Sequence, residues 1–242
     1  VTATAQRSET ATRRRLTWFV DFYRTDVGKK WAMAITGVVL LGYVLAHLLG
    51  NLKAYIGPSS IDQYGEALRD LGGHLVPRTH LLWIMRIGLG VAFVIHVHAA
   101  YALTFRNFRA RGPQRYEAGR HYLSANPASR TMRWTGSIVL VYLVFHLADL
   151  TWGSANPDFM RGHPYANLVA SLQRPAVAVL YVIANFALAV HVYHGAWSMF
   201  QSAGINNARF NTWRRGFAIA FAALILIGNL SIPIAIQLGI IS

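Results

Sequence analysis

The apolar positions of this chain gather into five long runs, and the stretches outside them hold most of its charge. The runs cover residues 30–52, 77–105, 132–152, 173–200 and 215–239. Each reaches the roughly 20 residues that a helix needs to cross the hydrocarbon of a bilayer. The expected fold is all-α: an integral membrane bundle of five transmembrane helices over 30–239, preceded by a basic tail and interfacial segment over 1–29.

The polar stretches refine this picture. Residues 1–15 are polar and end in Arg13, Arg14 and Arg15, with no apolar h-region, so span one is expected to act as the insertion signal. Residues 16–23 (LTWFVDFY) suit either a short helix on the membrane surface or a plain linker. In the first connector, IDQYGEALRDL reads as a short amphipathic helix between a Gly-Pro turn and a Gly-Gly break. The stretch after span three is rich in Pro, Gly and Asn and reads as a loop.

Charge then sets the orientation. Arg and Lys crowd the N-terminus, the loop after span two (Arg106, Arg109, Arg111, Arg115, Arg120, Arg130, Arg133) and the loop after span four (Arg209, Arg214, Arg215). The opposite side holds Lys53, Arg69, Arg78, Arg161 and Arg174. The positive-inside rule therefore predicts a cytoplasmic N-terminus and an outside C-terminus. The net charge of +14 would suggest nucleic acid for a soluble chain. Here the basic residues flank apolar spans, so no nucleic-acid partner is expected. The chain has no cysteine, which excludes a disulfide framework and any thiolate metal site built from this chain alone.

Histidine is the candidate chemistry. His47 lies in span one, His96 and His98 in span two, His146 in span three, and His191 and His194 in span four. A polar ring inside a membrane span is costly and is a functional candidate by default. Helical rise converts position to depth: His47 lies about 25 Å and His146 about 20 Å from the cytoplasmic side, whereas His98 lies about 12 Å from it. The depths pair His47 with His146 in the outer half and His98 with His194 in the inner half. His96 and His191 are the alternates in their spans. Neutral imidazoles on facing helices, without cysteine, suit b-type haem, two per chain. Gly37, Gly42, Gly50, Gly88, Gly90 and Gly195 are expected to let a flat macrocycle approach the backbone. An iron–sulfur cluster with two histidine ligands and a partner's cysteines is the competing cofactor. Arg86, deep in span two, is read as a partner for a haem propionate or a quinone carbonyl, or as an ion pair with Asp149. Outer-side candidates for a quinone slot are Tyr64, Glu66, Asp149 and Trp152, with Asp62; the inner alternative is His191, Tyr193 and Ser198.

Four stretches carry a family resemblance: HLLGN in span one, HVHAAYALTFRNFRARG, FHLADLTWG, and HVYHGAWSMFQSAG in span four. Together they resemble the single-chain, five-helix cytochrome b anchor of bacterial succinate dehydrogenases and fumarate reductases. The resemblance implies two haems b on His47, His98, His146 and His194. It also implies docking of an iron–sulfur subunit and a flavoprotein subunit, electron delivery to menaquinone, and residence in the bacterial cytoplasmic membrane. The chain departs from that pattern in its two extra histidines and Arg86. Two other function classes stay open: a haem-free structural anchor with a quinone slot, and a small transporter using intramembrane His, Arg and Asp.

Overall fold

A computed structural model describes residues 17–111, 127–205 and 207–242. Among these, every regular element is helical: α1 (17–24), α2 (Asp26–Asn51), α3 (Pro58–Arg69), α4 (His80–Arg111), α5 (Pro127–Leu147), α6 (Pro164–Leu172), α7 (Pro175–Ser202) and α8 (Ala208–Gln237). A 3₁₀ turn (Leu52–Tyr55) extends α2, and a π-helical turn (Ala148–Trp152) extends α5. Proline occupies the first turn of α3, α6 and α7, where its missing N–H costs nothing.

Five helical stretches are long and apolar enough to cross a bilayer: Asp26–Tyr55, His80–Ala110, Thr131–Trp152, Pro175–Ser202 and Ala208–Gln237. They are the five predicted runs, with the first beginning four residues earlier and the last seven residues earlier than hydropathy alone suggests. Their outward faces are apolar, as with Ile35, Val38 and Val39 on α2, Ile87, Val91 and Val94 on α4, and Val141 and Val144 on α5. Lipid is the solvent such faces require, because helices satisfy their backbone groups internally.

Helix α2 packs against α4 and α7, α5 packs against α7, and α8 lies against α7 with a smaller contact to α2. Gly228 of α8 lets it approach α2 closely: a Cβ there would stand 2.7 Å from Leu48, itself fully buried. Packing is uneven. About a third or more of the apolar windows of α7 and α8 is buried, against 11%, 6% and 11% for α2, α4 and α5. The three histidine-bearing helices other than α7 are thus the peripheral ones, with most of each window open to the surroundings.

Each end of the bundle is closed by a short helix or two. At one, the tail end, α1 is held on α2 and α4. Thr25 caps α2 by accepting from the Gly28 N–H (2.9 Å), and buried Lys29 donates to the carbonyls of Tyr23 and Arg24 at the end of α1. Arg106 of α4 pairs with Asp26 (2.5 Å) and donates to the Arg24 carbonyl (3.0 Å). The stretch that suits either a helix or a linker is helical over 17–24, with Trp18, Phe19 and Phe22 exposed. Gly28 makes the turn possible, since a Cβ there would lie 1.9 Å from the Phe22 carbonyl oxygen. Gly28→Ala is expected to release α1, seen as faster amide exchange confined to residues 17–28.

At the other, the cap end, α3 lies where the amphipathic pattern placed it. Its partner α6 falls in the stretch read as a loop. Nine residues flanked by Pro and Gly give too short a pattern to stand out, yet α6 buries Leu168, Val169 and Leu172 in the cap core with Ile61 and Ile236. Asp62 of α3 accepts from the Tyr165 N–H in the first turn of α6 (3.1 Å), an orphan donor that needs a partner. Gln237 of α8 donates to the Leu172 carbonyl (2.6 Å), joining the last span to the cap.

Candidate functional site

The histidines meet in two pairs across the bundle. His47 of α2 faces His146 of α5 with ring centroids 5.9 Å apart and planes nearly perpendicular. His96 of α4 faces His191 of α7 at 6.4 Å. Thr36 of α2 touches His96, and His47 lies eleven residues further along the same helix, so the two pairs are about 16 Å apart along it.

Each pair has one ring whose orientation is set by a hydroxyl. Thr36 donates to the Ala32 carbonyl (2.6 Å), so its oxygen is left to accept from His96 Nδ1 at 3.2 Å. Tyr181 donates to Asp149 (2.9 Å), so its oxygen accepts from His146 Nδ1 at 3.3 Å. With the proton on Nδ1, Nε2 keeps its lone pair, the form in which imidazole binds a metal. On the partner rings, Tyr43 stacks on His47 (5.4 Å), and Gly136 leaves space for His191, whose Cε1 would be 3.1 Å from any Cβ there.

The other two intramembrane histidines are placed elsewhere. His98 lies two residues from His96, on roughly the opposite side of α4. There it is exposed, its Nδ1 is 2.6 Å from the Tyr23 hydroxyl, and its ring stacks on Tyr23. The structure therefore brings His96, and not His98, to the α7 histidine. His194 is buried with its Nε2 lacking a hydrogen-bond partner among the described residues, and its nearest ring is Tyr193 at 4.8 Å. Arg86 is exposed on α4 with its guanidinium over Trp83 (5.2 Å).

Asp149 sits in the π turn, fully buried, and its ion-pair partner is Arg174 (2.5 Å), not Arg86. Ser171 and Tyr181 donate to its other oxygen. Both carboxylate oxygens are thus taken by the chain's own donors. Glu66 is similarly held by Arg69 and Arg78. Of the four outer quinone candidates, Tyr64 packs on Gly50 beneath the Lys53 ammonium, and Trp152 is exposed. Gly50 therefore makes room for the Tyr64 ring, whereas Gly42, Gly88, Gly90 and Gly195 face open space. Ser198 bonds its own helix at the Gly195 carbonyl.

Thr36, Tyr181 and Arg174 were not among the sequence candidates. A tyrosine inside an apolar run was the readable signal, because a buried phenol requires a hydrogen-bond partner. Nothing in the pattern gave that partner's identity.

No cluster of three or more His, Asp or Glu able to hold a metal occurs among the described residues. Each pair therefore offers two ligands, which suits a metal whose remaining positions a cofactor fills. The imidazoles of each pair lie on different helices with centroids 5.9 and 6.4 Å apart, and His146 and His96 keep Nε2 free to ligate. A facing pair of neutral imidazoles is the donor set that would hold a b-type haem.

Residues 124–230, which span α5 to most of α8, match the family described as succinate dehydrogenase/fumarate reductase transmembrane subunit. No curated protein and no solved structure matched the chain at a significant level. Five apolar spans in an all-helical bundle make this a multi-pass membrane protein, and over residues 124–230 it is similar to the transmembrane subunits of succinate dehydrogenase and fumarate reductase.

Proposed function

We propose that this subunit carries electrons between an iron–sulfur subunit docked at its tail end and quinone in the membrane, through two haems b. The observation that carries the reading is the pair of histidine–histidine contacts, His47 with His146 and His96 with His191, on two diagonals of one bundle. These four residues would hold the haems, in place of the His98 and His194 that depth alone favours. When bound, haem supplies reversible one-electron transfer at each of the two depths.

The chain's own residues do the rest. Thr36 and Tyr181 fix the imidazoles of His96 and His146 with Nε2 unprotonated. The apolar walls of the spans would exclude water from the bound groups. The Lys/Arg imbalance puts the tail end on the cytoplasmic side, with its basic surface suited to an acidic iron–sulfur partner that in turn carries the flavoprotein. Tyr64 and Trp152 remain the outer residues for quinone, since Glu66 and Asp149 are already satisfied internally.

The test is a dithionite-reduced minus oxidised absorption spectrum of the purified complex, with haem quantified as the pyridine haemochrome. Two haems b per chain are expected. Absence of haem would overturn the reading. An iron–sulfur signal in its place would assign the histidine pairs to a cluster shared with a partner's cysteines; no redox signal would leave a structural anchor.

A further inference from the structure

Behind one of the histidine pairs stand two buried residues: Tyr181, which holds His146, and Asp149, which holds Tyr181. Asp149 is fully buried in the π turn after α5, and Tyr181 on α7 is only 5% exposed. Phe145 and Tyr142 wall Tyr181 in, with centroids at 6.3 and 5.1 Å. The π turn is the local cause: its wider winding sets Asp149 facing α7 and the last turn of α6, three residues past His146.

Hydrogen counting fixes the direction of the chain of contacts. Tyr181 has one hydroxyl hydrogen, and the carboxylate of Asp149, paired with Arg174, only accepts. The tyrosine hydrogen therefore goes to Asp149, and the tyrosine oxygen accepts from His146 Nδ1–H. The His96 site uses the same device with a different terminus: Thr36 passes its hydrogen to a neutral backbone carbonyl. One relay ends on a carboxylate, the other on an amide.

We infer that Tyr181 and Asp149 are positioning residues for the outer centre, a carboxylate–phenol–imidazole relay that holds His146 as an Nε2 donor and makes it the more electron-rich ligand. The inference rests on the proposed role of His146 as an axial ligand. A carboxylate behind a ligating histidine raises its basicity. An electron-richer imidazole stabilises oxidised iron, so the relay lowers the outer centre's reduction potential relative to the same site without it. Ser171 donates to the same Asp149 oxygen as Tyr181 and so competes for its charge.

The experiment is a potentiometric titration of the haem absorption in the purified complex, comparing the unaltered protein with Tyr181→Phe and Ser171→Ala. Tyr181→Phe is expected to raise the midpoint of one haem component, keep haem content at two per chain, and leave the other component unmoved. Ser171→Ala, which concentrates the carboxylate on Tyr181, is expected to move the same component the opposite way. Structural damage has no reason to give opposite signs at a single component; where Tyr181→Phe does not assemble, a midpoint lowered at one component only in Ser171→Ala carries the relay, and an unmoved one overturns it. Unchanged midpoints with haem retained, or a shift of both components together, would overturn the relay. An unaltered complex without haem would instead remove the reading beneath it, a result that the starting spectrum already distinguishes.

Discussion

Replacing His96 with alanine is expected to remove one haem of two, and replacing His98 with alanine is expected to remove none. The two residues are neighbours in sequence, similar in depth and identical in chemistry, yet only His96 meets a second histidine, at 6.4 Å from His191. His98 instead bonds Tyr23 at 2.6 Å and belongs to the contact that holds α1. The same contrast applies on α7, where His191→Ala is expected to lose the inner haem and His194→Ala to retain it. Haem quantitation on the four variants reads the result directly. In His98→Ala the loss is one hydrogen bond at an exposed site, about 1 kcal/mol, felt as looser attachment of residues 17–24. Haem loss in His98→Ala with full retention in His96→Ala would overturn the assignment of the inner pair.

Arg174→Met is expected to be the most damaging single change to stability, by about 3–5 kcal/mol, the range for removing one partner of a buried ion pair. Asp149 is wholly inaccessible and Arg174 about two-thirds buried, so the remaining carboxylate has no water to turn to. Arg174 also donates to the Ala155 carbonyl (2.9 Å) and the Ser171 carbonyl (3.2 Å), tying the loop after the π turn to the start of α7. Arg174→Lys keeps the charge but loses the planar fork that serves three acceptors, and an intermediate loss is expected. Unfolding of the purified complex in detergent, followed by heat or denaturant, measures both. Combining Arg174→Met with Asp149→Leu is expected to recover part of the loss, because the double change leaves no buried charge unpaired. A double variant no more stable than Arg174→Met would show that the carbonyl contacts, rather than the ion pair, dominate.

Much of this molecule is legible in its amino-acid order alone. Five apolar runs of bilayer length specify five spanning helices, since lipid leaves the backbone few alternatives. The IDQYGEALRDL pattern locates α3 because its apolar stripe has helical spacing. Depth along a helix follows from residue count alone, and it sets His47 beside His146, where the structure also has them.

Rotation about the helix axis is a different quantity, and depth carries none of it. His96 and His98 differ by about 3 Å in depth but point to roughly opposite sides of α4. Which one looks inward depends on how α4 is turned against α2, where Thr36 meets His96. The π turn that buries Asp149, and the pairing of that residue with Arg174 at the start of α7, depend likewise on contacts between elements distant in sequence. The number, length and depth of the spans and the histidines they carry follow from amino-acid order, because hydrophobicity and helical rise are local properties. Which histidines face each other, and which hydroxyl holds each one, comes from packing between helices, because that packing sets how each helix is turned.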